Sequence, residues 1–220
     1  MSRQQLQDIY ERLFMRFGAQ QWWPGQTTFE IIVGAILTQN TNWGNVEKAI
    51  ANLKKHGVLS PEKLHQLDAD TLAELIRPAG YYNIKAGRLK SFLNRLFAKF
   101  DGDLERMGQL STDRLREELL SIKGIGPETA DSIALYAFGK PVFVVDAYTG
   151  RILGRHRLLE PGAGYEEVRM LFESSLPREV QLYNEYHALL VRLGKEYCKT
   201  KPHCAGCPLE ELPHDTERLF

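Results

Sequence analysis

The chain has 220 residues, 43% of them hydrophobic, enough to bury a core as one large domain or two small ones sharing an interface. That composition excludes a disordered or fibrous protein. Its 28 basic and 28 acidic side chains cancel, so the global charge gives no sign of a polyanionic partner. No apolar run approaches a membrane span, and the N-terminus lacks the uninterrupted apolar core of a secretion signal. A soluble, cytoplasmic protein is expected.

In chain order, Leu6, Ile9, Tyr10 and Leu13 recur at helical spacing, as do Leu72, Leu75 and Ile76, then Leu89, Phe92, Leu93 and Leu96. The pattern predicts a mostly α protein. Helix starts are marked by Thr27 or Thr28, by Ser60-Pro61, by Asp70 and by Ser111 or Thr112, and stops by Gly57, Gly80, Gly102 and Gly139. The one extended run, Val142 to Val145, comes after Gly139 and Pro141 and reads as a connector. Charge is uneven near the end: Arg192, Lys195, Lys199 and Lys201 face a single acid, Glu196, so a local basic face is compatible with a neutral whole.

The segment LLSIKGIGPETADSIALYAFG is the most informative. It sets two helical patterns on either side of Lys123-Gly124-Ile125-Gly126, a turn read as too tight for a β-carbon at either glycine. Ile122 and Ile125 fill the wedge between the helices. Pro127 sits where a first helical residue belongs. The backbone N–H groups at such a helix start can hold a phosphate without side-chain charge, although a bare GxG between helices is more often an ordinary corner.

The residues after the turn carry a resemblance. One helix runs to Phe138-Gly139, the extended PVFVV comes next, and the chain delivers Asp146 and Tyr148. The chain resembles, over nearly its whole length, the HhH-GPD superfamily typified by endonuclease III. Within it the chain looks closest to the bacterial 3-methyladenine DNA glycosylase III group, through Trp22-Trp23-Pro24, LTQNT (Leu37 to Thr41), RPAGYYNIKAGRL (Arg77 to Leu89) and KGIGPETAD (Lys123 to Asp131). The resemblance implies an all-α, two-lobed helix-hairpin-helix glycosylase fold. A helical barrel would span residues 27–130, and residues 1–26 would pack with 131–220 as the second lobe. It also implies a monomer working on double-stranded DNA that contains a damaged base, bound across the cleft between lobes.

N-glycosidic hydrolysis passes through an oxocarbenium-like sugar, which an ionised carboxylate beside the anomeric carbon stabilises while positioning or deprotonating water. Asp146 is the expected catalytic residue; a buried helix-capping aspartate is the alternative. Bifunctional relatives carry a lysine two residues after the second hairpin glycine, whose amine forms an imine and leads to strand cleavage. Here that position is Glu128, so a monofunctional glycosylase is expected. Glu128 itself is either a pocket residue or a first-turn acid complementing the helix dipole.

A flipped base leaves a vacancy to plug and needs a pocket to enter. By resemblance Gln39, in the polar run Thr38 to Asn42, is the intercalating plug, and Lys123, Gly124, Ile125 and Gly126 bind a phosphate. Trp23 and Trp43 resemble the aromatic pair that sandwiches the base, with Glu128 and Lys195 as further pocket residues and Tyr81 and Tyr82 near the same cleft. An N3- or N7-alkylated purine is a cation, so stacking gains on the order of 1 to 2 kcal/mol when desolvated. An alkylated purine such as 3-methyladenine is therefore the expected target. The alternatives are oxidised pyrimidines, thymine or uracil mismatches, or a non-catalytic DNA-binding module.

All three cysteines, Cys198, Cys204 and Cys207, fall within ten residues, too local for a disulfide framework. The segment resembles the family's iron–sulfur loop, with one residue fewer after Cys198 and Pro213 where a fourth cysteine belongs. A [4Fe–4S] cluster is expected, with His214 or Asp215 as a candidate fourth ligand, and with zinc or no metal as the alternatives.

Overall fold

The computed structural model describes residues 3–22, 25–160 and 162–217. Met1–Trp22 joins Pro141–Phe220 in one compact unit, and Trp23–Lys140 forms another. Among the described residues there are twelve α-helices and no strand, the all-α architecture that the apolar periodicity predicts. No helix among them is long and apolar enough to cross a membrane.

Helix α1 (Arg3–Phe17) opens the first unit and buries Leu6, Ile9 and Leu13, one stripe of an amphipathic helix. The second unit begins with α2 (Thr28–Leu37), eight of whose ten residues are buried, so it is the unit's central helix rather than a surface one. Thr27 caps it by accepting the Glu30 N–H at 3.1 Å. Asn42 and Ser60 cap α3 (Trp43–Lys55) and α4 (Pro61–Gln66) in the same way. Helix α5 (Ala69–Leu75) starts earlier than the expected mark at Asp70. Its cap is Asp68, which accepts the Thr71 N–H at 2.8 Å and hydroxyl at 2.7 Å. Asp70 falls in the first turn, where an acid suits the helix dipole equally well.

Helix α6 (Tyr82–Phe100) packs against α2 and α5 and buries Ala86, Leu89, Phe92, Leu93, Leu96 and Phe100. Lys85 lies on the same stripe, 1% exposed. Its ammonium donates to the carbonyls of Leu37 at 2.9 Å and Ala79 at 2.7 Å, which end α2 and the 3-10 turn Arg77–Ala79. It thereby satisfies acceptors that a helix end leaves without an intrahelical partner. Burial, with Arg88 nearby, lowers its pKa.

After α7 (Leu104–Gly108) and α8 (Thr112–Leu120, capped by Ser111) comes the hairpin, wedged by the buried Ile122 and Ile125. Helix α9 (Pro127–Ser132) continues into a π turn over Ile133–Ala137. The two hairpin glycines differ. Gly124 has φ +92°, and a β-carbon there would stand 2.5 Å from Cγ of Arg88. Gly126 has φ −92°, and a β-carbon there would meet no described residue within 4 Å. Internal packing thus demands only the first, which corrects the expectation that the turn excludes a side chain at both.

The chain returns to the first unit through the extended, buried Val142 to Val145. Helices α10 (Ala147–Arg155), α11 (Tyr165–Ser175) and α12 (Val180–Glu196) complete it. Phe143 stacks on Phe172 at 3.7 Å between centroids and meets Tyr183 and Tyr186 edge-on at 5.5 and 5.9 Å. These rings form the unit's aromatic core. The Tyr186 hydroxyl donates to the Leu6 carbonyl at 2.8 Å and ties α12 to α1.

The glycine contrast is measurable. Gly124→Ala is expected to lower stability by about 1–2 kcal/mol or more, since strain at positive φ adds to the clash with Arg88. Gly126→Ala should stay within about 0.5 kcal/mol of the parent. Urea unfolding midpoints of the two variants check the difference.

Candidate active site

Asp146 is where the extended connector turns into α10, and it caps that helix with φ −116° and ψ −179°. Its Oδ1 accepts both the Thr149 N–H at 2.8 Å and the Thr149 hydroxyl at 2.9 Å. The other oxygen, Oδ2, takes no part in the cap and stands 3.6 Å from Nε2 of His187 on α12. Burial favours the neutral acid, but His187 and the two Thr149 donors outweigh it and hold the carboxyl below its ordinary pKa. The helix-capping alternative and an available carboxylate oxygen therefore coexist in one side chain. His187 is 5% exposed, and its ring stacks on the Trp22 indole at 5.5 Å and 20°.

Within the second unit, Gln39 lies just past the end of α2 and is held against the hairpin. Its carboxamide nitrogen donates to the Thr129 hydroxyl at 2.8 Å and to the Gly124 carbonyl at 3.2 Å, and its oxygen accepts from Arg88. The sequence-predicted plug and phosphate loop are thus one hydrogen-bonded assembly. Lys123 is exposed in the turn, Glu128 is exposed in the first turn of α9, and no side chain caps that helix at Gly126. Trp43, the first residue of α3, is half-buried, with its indole 3.3 Å from where a β-carbon on Gly34 would stand. Tyr81 is 67% exposed at a left-handed backbone position, φ 44°. Trp23 lies outside the described residues. Lys195 sits two helical turns beyond His187, exposed in the last turn of α12.

Three comparisons bear on this arrangement. The pattern of the HhH-GPD superfamily base excision DNA repair proteins matches residues 33–178, well over half of the chain. The chain belongs to that superfamily. It is a DNA glycosylase of base excision repair. It is 48% identical over 206 residues to MJ1434 of Methanocaldococcus jannaschii, which bears the name of a DNA repair glycosylase, with 93% of each chain covered. Endonuclease III of Sulfolobus acidocaldarius is 29% identical over 188 residues, covering 84% of this chain and 81% of that one. Among solved structures, the Helicobacter pylori 3-methyladenine DNA glycosylase bound to 1,N6-ethenoadenine superposes with TM-score 0.77 at 31% identity, over 89% of this glycosylase and 98% of its counterpart. Endonuclease III in a non-covalent DNA complex gives TM-score 0.83 at 23% identity, over 97% and 95%, a likeness of fold.

The cysteine segment departs from the expectation of a metal. Cys198, Cys204 and Cys207 line one cavity with His156, His203 and His214, but that cavity has a volume of about 20 Å³, room for little more than one water. Among the described residues no three His, Cys, Asp or Glu side chains stand close enough to hold an ion. The residues as placed fit neither zinc nor a four-ligand cubane. Two arginines brace the loop. Arg155 donates to Cys198 Sγ at 3.3 Å, to the Lys199 carbonyl at 2.6 Å and to the Thr200 carbonyl at 2.8 Å, and Arg151 donates to the Cys198 carbonyl at 2.7 Å.

His187, Arg88 and Thr129 were not singled out by sequence reasoning. For His187 the available signal is a titratable side chain on the stripe formed by Tyr183, Tyr186 and Leu190, where an apolar residue is the rule.

The depressed carboxyl gives a pH test. A group whose folded pKa is lowered contributes stability that is complete above its unfolded value, about 3.9, and is lost as pH falls through the folded value. Asp146→Ala should cost about 1–2 kcal/mol near neutral pH through loss of the cap. The gap between parent and variant should narrow as pH drops below about 4. Denaturant midpoints measured from pH 7 to pH 3 check both statements.

Proposed function

We propose that this glycosylase hydrolyses the N-glycosidic bond of an alkylated purine such as 3-methyladenine in double-stranded DNA and leaves the abasic strand uncut. The observation that carries the reading is Asp146, a carboxylate kept ionised in a buried setting, with Oδ1 spent on the helix cap and Oδ2 outside it. Such an oxygen stabilises the positive charge that develops on the sugar as the base departs, and it orients or deprotonates the attacking water. The base must first leave the stack. Gln39 serves as the plug, and Lys123 with the backbone of Gly124, Ile125 and Gly126 seats a phosphate at the helix start. Exposed Lys199 and Lys201 on the cysteine loop add local positive charge to a chain with none overall.

Support for an alkylated purine comes from chemistry and from likeness. A cationic base is already a good leaving group and gains from stacking on an aromatic face, the role assigned to Trp43 and Trp23, with Glu128 and Lys195 as polar pocket residues. The similar Helicobacter pylori glycosylase was solved with a modified adenine bound. Support for uncut strands is the carboxylate of Glu128 at the lyase position, since a carboxylate forms no imine. Lys123 lies on the far side of the turn.

An incision assay tests the reading, using duplexes carrying 3-methyladenine, 7-methylguanine, thymine glycol, and T or U opposite G. Base release from the alkylated purines is expected, with strand breaks only after alkali. Asp146→Asn should lower the single-turnover rate on the order of a hundred-fold or more. Preferred release of thymine glycol or of mismatched T and U would move the substrate to those classes. Breaks without alkali, or a borohydride-trapped adduct, would refute the monofunctional mechanism.

A further inference from the structure

We propose that His187 is the positioning residue of Asp146: its imidazole, locked in plane by the Trp22 indole, fixes the orientation of the one carboxylate oxygen left for the substrate. The inference rests on the reading of Asp146 as the carboxylate that faces the sugar cation. Oδ1 is anchored twice by Thr149, so the carboxyl group can turn only about that anchor, and the turn moves Oδ2. The ring atom facing Oδ2 is Nε2 of His187, at 3.6 Å and wholly buried. That separation exceeds a direct hydrogen bond, and catalytic contacts commonly tighten on substrate binding.

The ring itself has little freedom. Trp22 covers one face at 20° to its plane, and α12 is tied to α1 by the Tyr186 hydroxyl, one residue away in sequence. Phenylalanine would stack on Trp22 as well as histidine and without the cost of burying two ring nitrogens. What histidine adds at this place is an N–H aimed at a carboxylate. With the proton on Nε2, an assignment dictated by the facing oxygen, His187 donates to Oδ2 and keeps it in one orientation while leaving the negative charge on the carboxylate. Trp22 then acts through His187, so that an aromatic residue of the Trp-Trp-Pro segment bears on the reacting oxygen without touching it.

The test compares His187→Phe, His187→Gln and Asp146→Asn with the parent in two measurements. One is the single-turnover rate of base release. The other needs no turnover: the ratio of affinities for duplex DNA bearing a cationic pyrrolidine abasic analogue and for DNA bearing a neutral tetrahydrofuran analogue, which reads the carboxylate's effect on a positive sugar. His187→Phe is expected to lower the rate by about ten- to a hundred-fold, the effect of losing a hydrogen bond to a charged group. It should reduce the preference for the cation while leaving tetrahydrofuran binding unchanged and lowering the melting temperature only slightly, by the stabilisation of the carboxylate that is lost. His187→Gln, whose carboxamide N–H can replace Nε2–H, should restore most of both.

A phenylalanine variant with the parent's rate and preference would overturn the proposal, as would a glutamine variant as impaired as phenylalanine. So would a phenylalanine variant that loses melting temperature and neutral-analogue binding in step with rate, which marks a structural role alone. If Asp146→Asn abolishes the cation preference and His187→Phe does not, this inference fails and the reading of Asp146 stands. If no duplex loses a base yet both substitutions erase the cation preference, the functional reading fails and the positioning role stands.

Discussion

A single carboxylate divided between two tasks is the constraint on which the rest of the candidate site depends. Asp146 begins α10 with one oxygen and presents the other beside His187. The cap fixes where the carboxylate stands, because a helix start tolerates only a narrow placement of the accepting oxygen relative to the first-turn N–H groups. The helix in turn is held from both ends. Tyr148, in its first turn, lies over Gly194 of α12, where a β-carbon would come within 2.2 Å of the ring. Arg155, at its last turn, grips the carbonyls of Lys199 and Thr200. Burial alone would push the acid towards its neutral form. Two donors from Thr149 and the adjacent imidazole reverse that tendency, so the same bonds that place the group keep it charged.

A neutral chain that acts on DNA must concentrate its recognition locally. On the proposed reading the hairpin does this with backbone rather than side chains, and its two glycines stand in different surroundings. Gly124 is required by the fold, because Arg88 passes directly beneath it. No described residue stands within 4 Å of where a β-carbon of Gly126 would be, so the packing of the described residues gives no reason for a glycine there. On the proposed reading an approaching phosphate supplies one. Side-chain charge is apportioned with equal economy. Arg192 is engaged by Glu196 at 2.8 Å, by the Phe17 carbonyl at 3.2 Å and by the Phe17 ring at 4.6 Å, whereas Lys195, Lys199 and Lys201 remain exposed.

Local physics was legible in the sequence and tertiary polar pairing was not. Thr27, Ser60 and Ser111 announce their helices because capping depends on neighbours within three residues. Asp68 and Asp70 could not be separated, since cap and first-turn dipole favour the same residue type. The connector Val142 to Val145 was readable from composition and from its flanking glycine and proline. His187 and Lys85 were not, because each is a polar side chain on an apolar helical stripe whose partner is far away in sequence: Asp146 for one, the carbonyls of Leu37 and Ala79 for the other. The cysteine spacing left the surroundings of the three thiols unread for a related reason. Spacing records which residues can share a cavity, but the volume of that cavity and the arginines that close it come from other helices.

The hold on Gln39 links the end of α2 to the hairpin within the second unit. Its carboxamide spends its oxygen on Arg88 and its nitrogen on Gly124 and Thr129, both hairpin residues. On the proposed reading of Gln39 as the plug, entry into the helix of DNA exchanges these partners for base edges. Each of the two neutral bonds is worth about 0.5–1.5 kcal/mol net and the one from the Arg88 guanidinium about 1.5–3 kcal/mol, so together they hold the carboxamide firmly against the hairpin. Thr129 is buried and its hydroxyl moves only with α9. The Gln39 side chain is therefore fixed to the first turn of α9, a few bonds from the amides that begin that helix.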